Sequence, residues 1–365
     1  MSGGGEASPP AAPLLLAVNP GAGSTKLGLF RGAALVSEHV ERHDERALAA
    51  LGRVAAQRAL RAAAAREFLA RAGVRRGELA AVVGRGGLFK PLESGAYLVE
   101  DAMLRDAEAG ARGDHAANLG ALLAAELGAE HGCPALVVDA VSLDELEPVA
   151  RISGLAGVER TSLCHALNMR AVARRHARTA GRPFAEARLV VAHLGTGASL
   201  AAVRDGRLVD VVNPQDEGPF SGDRSGGVPA TALIELCFAP GADRGALRRR
   251  LFGDGGLHSY LGTRDVREVA RRAREGDAQA ALVLDAAAYQ LAKAIGEMAT
   301  VLEGRVDAIL LTGGAVNEPA LVERVRPRVE WIAPVALYPG EDELRALAEG
   351  ALRVLAGEEP AKRYG

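Results

Sequence analysis

Paired cysteines, a dominant charge, a membrane-length apolar run and a signal peptide are all missing from this chain. The three cysteines, Cys133, Cys164 and Cys237, lie far apart without paired spacing. Neither a disulfide framework nor a zinc site is suggested, and they read as buried small hydrophobes of a reducing cytosol. Lys and Arg total 44 against 46 Asp and Glu, a net charge of −2, which argues against a nucleic-acid or membrane-surface protein. Any positive charge at a site is therefore local. No apolar stretch approaches the length that spans a bilayer. Residues Met1 to Pro13 are rich in Gly, Pro and Ser, lack the basic start and apolar core of a signal peptide, and read as a disordered tail. A cytoplasmic protein is expected. At 365 residues the chain exceeds the size at which one core stops growing, so two domains are expected.

What is present is one local pattern made twice. Leu14 to Val18 is an apolar run that breaks into Asn19-Pro20-Gly21-Ala22-Gly23-Ser24-Thr25-Lys26, resumes at Leu27 to Phe30, turns at Arg31-Gly32 and resumes at Ala33. Leu189 to Ala192 breaks into His193-Leu194-Gly195-Thr196-Gly197-Ala198-Ser199, resumes at Leu200 to Val203, turns at Arg204-Asp205-Gly206 and resumes at Arg207. Each copy predicts strand, Gly-rich hairpin, strand, tight turn, strand. Such loops let backbone N–H groups approach an anion while Ser and Thr hydroxyls add donors. The alternative is a pair of ordinary hairpins whose glycines only satisfy turn geometry. A P-loop is excluded for the first copy: Gly21 is not followed at the required spacing by Gly-Lys-Ser/Thr, and a strand rather than a helix comes next.

Strands and helices alternate elsewhere. Helices are expected at Arg46–Ala72, Asp114–Glu130, Arg160–Arg178 (carrying His165), Val228–Phe238, Asp265–Glu275, Ala278–Val301 and Asp342–Leu355. Strands are expected at Leu79–Val83, Ala135–Val141 (interrupted by Asp139) and Asp307–Leu311, the last stopped by Thr312-Gly313-Gly314.

A set of motifs stands in the order found in butyrate kinases. It comprises the first loop, Gly84-Arg85-Gly86-Gly87-Leu88-Phe89-Lys90-Pro91, Asp139-Ala140-Val141, Arg151-Ile152-Ser153-Gly154, Cys164-His165-Ala166-Leu167-Asn168 and His193 to Gly197. It continues with Gly218-Pro219-Phe220-Ser221, Arg224-Ser225-Gly226-Gly227, Leu311 to Ala315 and Tyr338-Pro339-Gly340-Glu341-Asp342-Glu343-Leu344. From about Leu14 onward the chain resembles this family, which belongs with acetate and propionate kinases in the acetokinase branch of the actin, sugar-kinase and Hsp70 ATPase superfamily. The resemblance implies an α/β fold of two duplicated ribonuclease-H-like domains, with ATP and the active site in the interdomain cleft. The N-terminal domain is expected over 14–150 joined by the C-terminal helix 345–365, and the nucleotide-binding domain over 151–344.

A carboxylate attacking the terminal phosphate of ATP is already a nucleophile, so this reaction needs charge neutralisation rather than a general base. Arginine suits that task, because its fork matches carboxylate and phosphate oxygens. By resemblance, Arg224 contacts the transferring phosphoryl group and His165 donates to its equatorial oxygens. Without it, Arg224 reads as a loop arginine in a surface ion pair and His165 as a core histidine. Asp139, costly to bury alone, is implied to belong to the magnesium shell or to orient His and Arg; its other reading is a cap for the following segment. Asn19 and Glu343 resemble the metal-side residues, with Glu341 and Asp342 within reach of the same aligned position. Arg85, with Gly86 beside it, is the substrate-carboxylate candidate.

Ala81 and Val82 replace a His-Arg pair of acetate kinase in that segment, an apolar change that also fits a longer acyl chain. Each buried methylene is worth about 0.8 kcal/mol. On the nucleotide side, His193, Gly195, Thr196 and Gly197 are implied to hold the β- and γ-phosphates. Asp265 and Arg267 match a family Asp-x-Arg near the adenosine, and Gly313-Gly314 the turn beneath it. Apart from the resemblance, Asp265 is a helix N-terminal carboxylate with a solvated neighbour.

The sequence thus points to an ATP- and Mg2+-dependent kinase of short-chain carboxylates, butyrate first, with a branched acid such as isobutyrate or isovalerate as the alternative. A different class, an ATP-driven actin- or Hsp70-like binding module, would require an appended peptide-binding domain, for which the chain leaves no room after its second half. A homodimer or higher homo-oligomer is expected, with the Ala-rich helix from Ala278 as the candidate seam.

Overall fold

The computed structural model describes residues 12–365, which divide into two compact units. The expected N-terminal tail lies, over 1–11, outside the described residues. The first unit takes the described residues up to Lys90, Gly95–Ala140 and Glu343–Gly365; the second takes Pro91–Ser94 and Val141–Asp342. The unit boundaries fall after Ala140 and after Asp342, where the sequence reading placed them after 150 and 344.

The first unit is built on strands β1 (Leu14–Pro20), β2 (Ser24–Arg31), β3 (Ala34–Arg42), β4 (Leu79–Arg85), β5 (Ala96–Leu98) and β6 (Ala135–Val138) in the order β3-β2-β1-β4-β6-β5. The meander β1-β2-β3 is antiparallel, and β4 and β6 run parallel to β1. β1 is buried along its whole length, as expected of a strand covered on both faces. Burying side chains such as Leu15 and Leu16 stabilises this unit by roughly 1.5–3 kcal/mol each. Its helices are α1 (Glu45–Ala50), α2 (Arg58–Arg71), α3 (Asp101–Ala109), α4 (Asn118–His131) and the C-terminal helix Glu343–Leu355.

The second unit repeats the plan. Strands β7 (Ile152–Leu155) and β8 (Val158–Glu159) form a small separate hairpin, and β9 (Leu189–Leu194), β10 (Ala198–Arg204), β11 (Arg207–Val212), β12 (Ala308–Gly313) and β13 (Val335–Pro339) order as β11-β10-β9-β12-β13. Again an antiparallel meander is extended by parallel strands. The turn Asp205-Gly206 has positive φ at both residues, 54° and 71°, which matches the twist of the flanking strands. Around the sheet lie α5 (Pro148–Arg151), α6 (Ala166–Thr179), α7 (Ala230–Phe238), α8 (Arg244–Phe252), α9 (Gly256–Leu261), α10 (Val266–Arg274), α11 (Ala278–Val301) and α12 (Pro319–Val329).

Three expected helices change. The stretch 46–72 splits at Gly52, where φ is 72°, into α1, a short 3-10 turn and α2. The helix expected from Asp114 starts at Asn118. The helix expected from Arg160 starts at Ala166, which leaves His165 at the cap position just before it. Arg160 is instead drawn to Glu217 at 2.8 Å and Asp210 at 3.0 Å, pairings that hold the chain extended. The helix expected as an oligomer seam, α11, places Val283, Leu284, Ala288, Leu291 and Ile295 in the core of its own unit. No described helix is long and apolar enough to cross a membrane.

Candidate active site

The second hairpin closes tightly: Gly195 N–H donates to the Gly197 carbonyl at 2.9 Å. The Gly218–Gly227 segment folds onto it. Ser221 Oγ donates to the Thr196 carbonyl at 2.5 Å, and the Arg224 guanidinium lies so near Gly197 that a Cβ there would meet Nη1 at 2.8 Å. Glycine at 197 thus lets the guanidinium lie against the loop backbone, and a Cβ there would push the flexible Arg224 side chain aside. Arg224 is partly exposed and lies 3.9 Å from Asp223; burial raises the Asp223 carboxyl above its usual range, while Arg224 and Arg264 pull it down.

His193, at the end of β9, stacks on His165 with ring centroids 4.0 Å apart. Behind it, Asn168 Nδ2 lies 2.9 Å from His193 Nδ1 and 3.0 Å from Thr312 Oγ1. The Thr312 hydroxyl donates to the Gly340 carbonyl at 3.4 Å, so its oxygen accepts from the amide, and His193 Nδ1 accepts from the same nitrogen. The ring proton then sits on Nε2, which faces Glu341 Oε1 at 3.2 Å. Gly313 permits this arrangement. With φ of 98° and a would-be Cβ 2.4 Å from the Leu194 carbonyl oxygen, no other residue fits there.

In the first unit, Asn19, at the end of β1, donates through Nδ2 to Glu343 Oε2. Arg85 Nη1 donates to the other carboxylate oxygen at 2.7 Å, and Lys26 Nζ lies 3.6 Å from Oε2. A buried glutamate is thus balanced by two cations, as burial demands. Asn19 Oδ1 is buried and finds no hydrogen-bond partner among the described residues. An uncommitted neutral oxygen beside a carboxylate fits a magnesium ion, which takes few protein oxygens and completes its shell with water and phosphate. Of the three acids in the Glu341-Asp342-Glu343 run, Glu343 joins Asn19. Glu341 and Asp342 belong to the second unit, where Glu341 meets His193 and Asp342 lies 3.6 Å from Arg175.

Asp139 follows β6 with φ of 39°, and its Oδ1 accepts from Gly95 N–H at 2.9 Å. That partner lies 44 residues earlier in the chain, whereas the alternative reading was a cap for the segment that follows. Gly86 is packed against Ala140, whose Cβ would lie 2.5 Å from a Cβ at 86. Asp265 caps α10 by accepting from Arg267 N–H at 2.9 Å and pairs with the Arg267 guanidinium at 2.7 Å. That is the helix-end carboxylate anticipated apart from the resemblance. Gly314 opens a short 3-10 turn, Gly314–Asn317.

The acyl-pocket argument from Ala81 and Val82 fails. Both are fully buried in β4, between β1 and β6, and offer no surface to a ligand.

Sequence reasoning missed Lys26, Arg61, Asn168 and Thr312 as working parts. Asn168 was legible in one respect, lying three residues after His165. Arg61 was legible in another. It falls on the stripe with Ala62, Ala65, Phe68 and Leu69 that α2 buries, where an arginine is out of place unless it has partners.

Two sheets that share one plan, an antiparallel meander extended by two parallel strands, with β5 added antiparallel at the edge of the first, define the actin-like ATPase fold. Over 94% of its length the chain superposes on the whole of an acetate kinase from Porphyromonas gingivalis, with TM-score 0.77 and 21% identity. A propionate kinase from Francisella tularensis gives TM-score 0.74 at 18% identity, over 92% of this chain and 98% of that one. An acetate kinase from Entamoeba histolytica gives 0.73 at 14% identity, over 92% and 98%. In sequence, residues 156–332, which carry His165, His193, the second hairpin and Arg224, match the Acetokinase family.

Proposed function

We propose that this protein is an ATP-dependent carboxylate kinase that moves a phosphoryl group between ATP and a short-chain fatty acid, butyrate, giving butyryl phosphate and ADP. The observation that carries the reading is the packing of Arg224 against Gly197, in a loop whose start, His193, stacks on His165. Backbone groups of one short loop, with a partly exposed guanidinium and two imidazoles brought against it from separate segments, suit a phosphoryl group whose charge spreads over three oxygens.

Each residue then has a role. In the second unit, His193, Gly195, Thr196 and Gly197 receive the β- and γ-phosphates, and Arg224 and His165 donate to the transferring group. Gly313 and Gly314 form the nucleotide turn, and Asp265 with Arg267 the adenosine side. In the first unit, Arg85 receives the substrate carboxylate beside Gly86. Glu343 holds the Arg85 guanidinium in place through the 2.7 Å bond. Asp139 acts through the backbone, fixing Gly95. Asn19 and Glu343 would hold Mg2+, which when bound screens the charge of the phosphate oxygens.

The choice of butyrate rests on the ordered motifs and not on any pocket wall. Hydroxylamine trapping of acyl phosphate, with ATP, Mg2+ and a panel from acetate to isovalerate, tests both levels. Butyrate is expected to give the highest kcat/KM. A higher value for isobutyrate or isovalerate replaces it by a branched acid, and ATP hydrolysis without any acyl phosphate rejects the kinase.

A further inference from the structure

His165, His193 and Glu341 offer three ligand atoms within 4.8 Å of one another. We propose that these side chains form a binding site for a transition-metal dication, of which zinc(II) is representative, distinct from the residues assigned to magnesium. The site lies wholly within the second unit. Two imidazoles and one carboxylate are the donor set that zinc, cobalt and nickel favour, whereas magnesium prefers oxygen and keeps its waters. Three protein ligands leave a position open, as in exchangeable zinc sites.

The two imidazoles are stacked, with 24° between their planes, so one ring must turn about its side-chain torsions for both nitrogens to face one ion. His165 precedes α6, His193 ends β9 and Glu341 follows β13, so each ligand stands at the boundary of a regular element. Gly195 leaves the approach clear, since a Cβ there would lie 3.2 Å from His193 Nε2 and 3.3 Å from Glu341 Oε1. The Glu341 side chain is 30% exposed while His193 is 3% exposed, which provides an entry path to a buried ligand.

Proton bookkeeping also closes. Binding at His193 Nε2 needs the ring proton on Nδ1, and a metal-bound histidine normally donates that proton to a neighbour. Turning the Asn168 amide by half a revolution places Oδ1 where Nδ2 stands, 2.9 Å from Nδ1 and 3.0 Å from Thr312 Oγ1. Oδ1 then accepts from His193 Nδ1–H and from the Thr312 hydroxyl, which swings away from the Gly340 carbonyl. The imidazole stays neutral, so this change of tautomer moves no net proton. Asn168 is thereby a positioning residue for the metal. If the kinase reading holds, the ion also inhibits phosphoryl transfer by occupying both imidazoles; this consequence alone rests on that reading.

The test is a Co2+ titration of the full chain, stripped with chelator, followed by visible absorbance. Ligand-field bands are expected that saturate at one Co2+ per chain, bleach on adding Zn2+ and persist in excess Mg2+. Glu341→Gln, at a partly exposed position that should leave folding intact, is expected to weaken Co2+ by more than about tenfold, and Asn168→Ala by about 10–100-fold. His165→Gln should abolish the bands, with circular dichroism verifying the fold. Absent bands, or a midpoint unchanged in Glu341→Gln, would overturn the site. Bands without acyl phosphate formation would leave the metal site standing and remove the kinase, and acyl phosphate formation without bands would do the reverse.

Discussion

The two Gly-rich hairpins share a sequence pattern and a strand order, and they differ in where their positive charge stands. Beneath the first, Arg61 is fully buried and donates to the Ser24 carbonyl at 2.7 Å, the Ala22 carbonyl at 3.2 Å, Thr25 Oγ1 at 3.0 Å and Gln57 Oε1 at 2.8 Å. All of these acceptors are neutral, and burial lowers the pKa of the guanidinium. In the second hairpin the arginine lies on the loop, partly exposed, with its Nη1 against Gly197. A charge inside fixes the shape of a loop, while a charge on its surface is available to a ligand. Duplicated folds thus divide labour by moving one charge across a backbone.

The largest break in that comparison is Arg224→Ala. Turnover in acyl phosphate formation should fall about 10³-fold, near 4 kcal/mol of transition-state stabilisation, while the ADP dissociation constant measured by calorimetry changes little. Near-normal turnover would dismiss the role given to this arginine. The mirror experiment is Arg61→Met, which leaves carbonyls of the first hairpin unpaired. It should cost about 2–3 kcal/mol in urea unfolding, and a loss below the error of that measurement would show that Arg61 does not hold the loop.

Smaller is Gly197→Ala. The obstructing atoms belong to the flexible Arg224 side chain, so the melting temperature should hold while kcat falls about tenfold, roughly 1.4 kcal/mol. A fall in melting temperature with normal kcat would reverse the assignment. Smallest is an acid effect confined to the first hairpin, where His43 Nε2 meets Thr25 Oγ1 at 2.8 Å and the His43 backbone N–H donates to the Gly23 carbonyl at 3.0 Å. Burial, and then the Arg61 charge, hold the imidazole below its ordinary range, against a weaker pull from Glu41. The unfolded chain therefore takes up this proton first. The stabilisation is whole above pH about 6.5 and is lost as pH falls through the lowered folded value. His43→Gln should flatten the slope of melting temperature against pH in that window, and an unchanged slope would remove His43 from the account.

Much of this was legible. Both meanders and the 24-residue α11 follow from local signals, because turns and helix caps are short-range chemistry; the grouping of His193 to Gly197 with Arg224 came from the family resemblance. Other parts were hidden for definite reasons. His165 falls before its helix because Arg160 finds Glu217 and Asp210, contacts 57 and 50 residues away in sequence as the numbering shows. Ala81 and Val82 read equally well as pocket or core, and only the covering of β4 on both sides decided for core. The acids at 341 and 343 are two residues apart, yet they serve different units, a division that no local propensity encodes.

By itself the sequence determined the duplication, the class of loop and the residue types that meet anions, since glycine, hydroxyl and arginine chemistry is local and follows from each residue's own backbone freedom and charge. The tertiary structure alone decided which arginine is buried and which reaches the loop surface. It also decided which acid meets His193. Those outcomes depend on groups far apart in the chain, and burial sets their energies only once the folded backbone has brought them within hydrogen-bond reach.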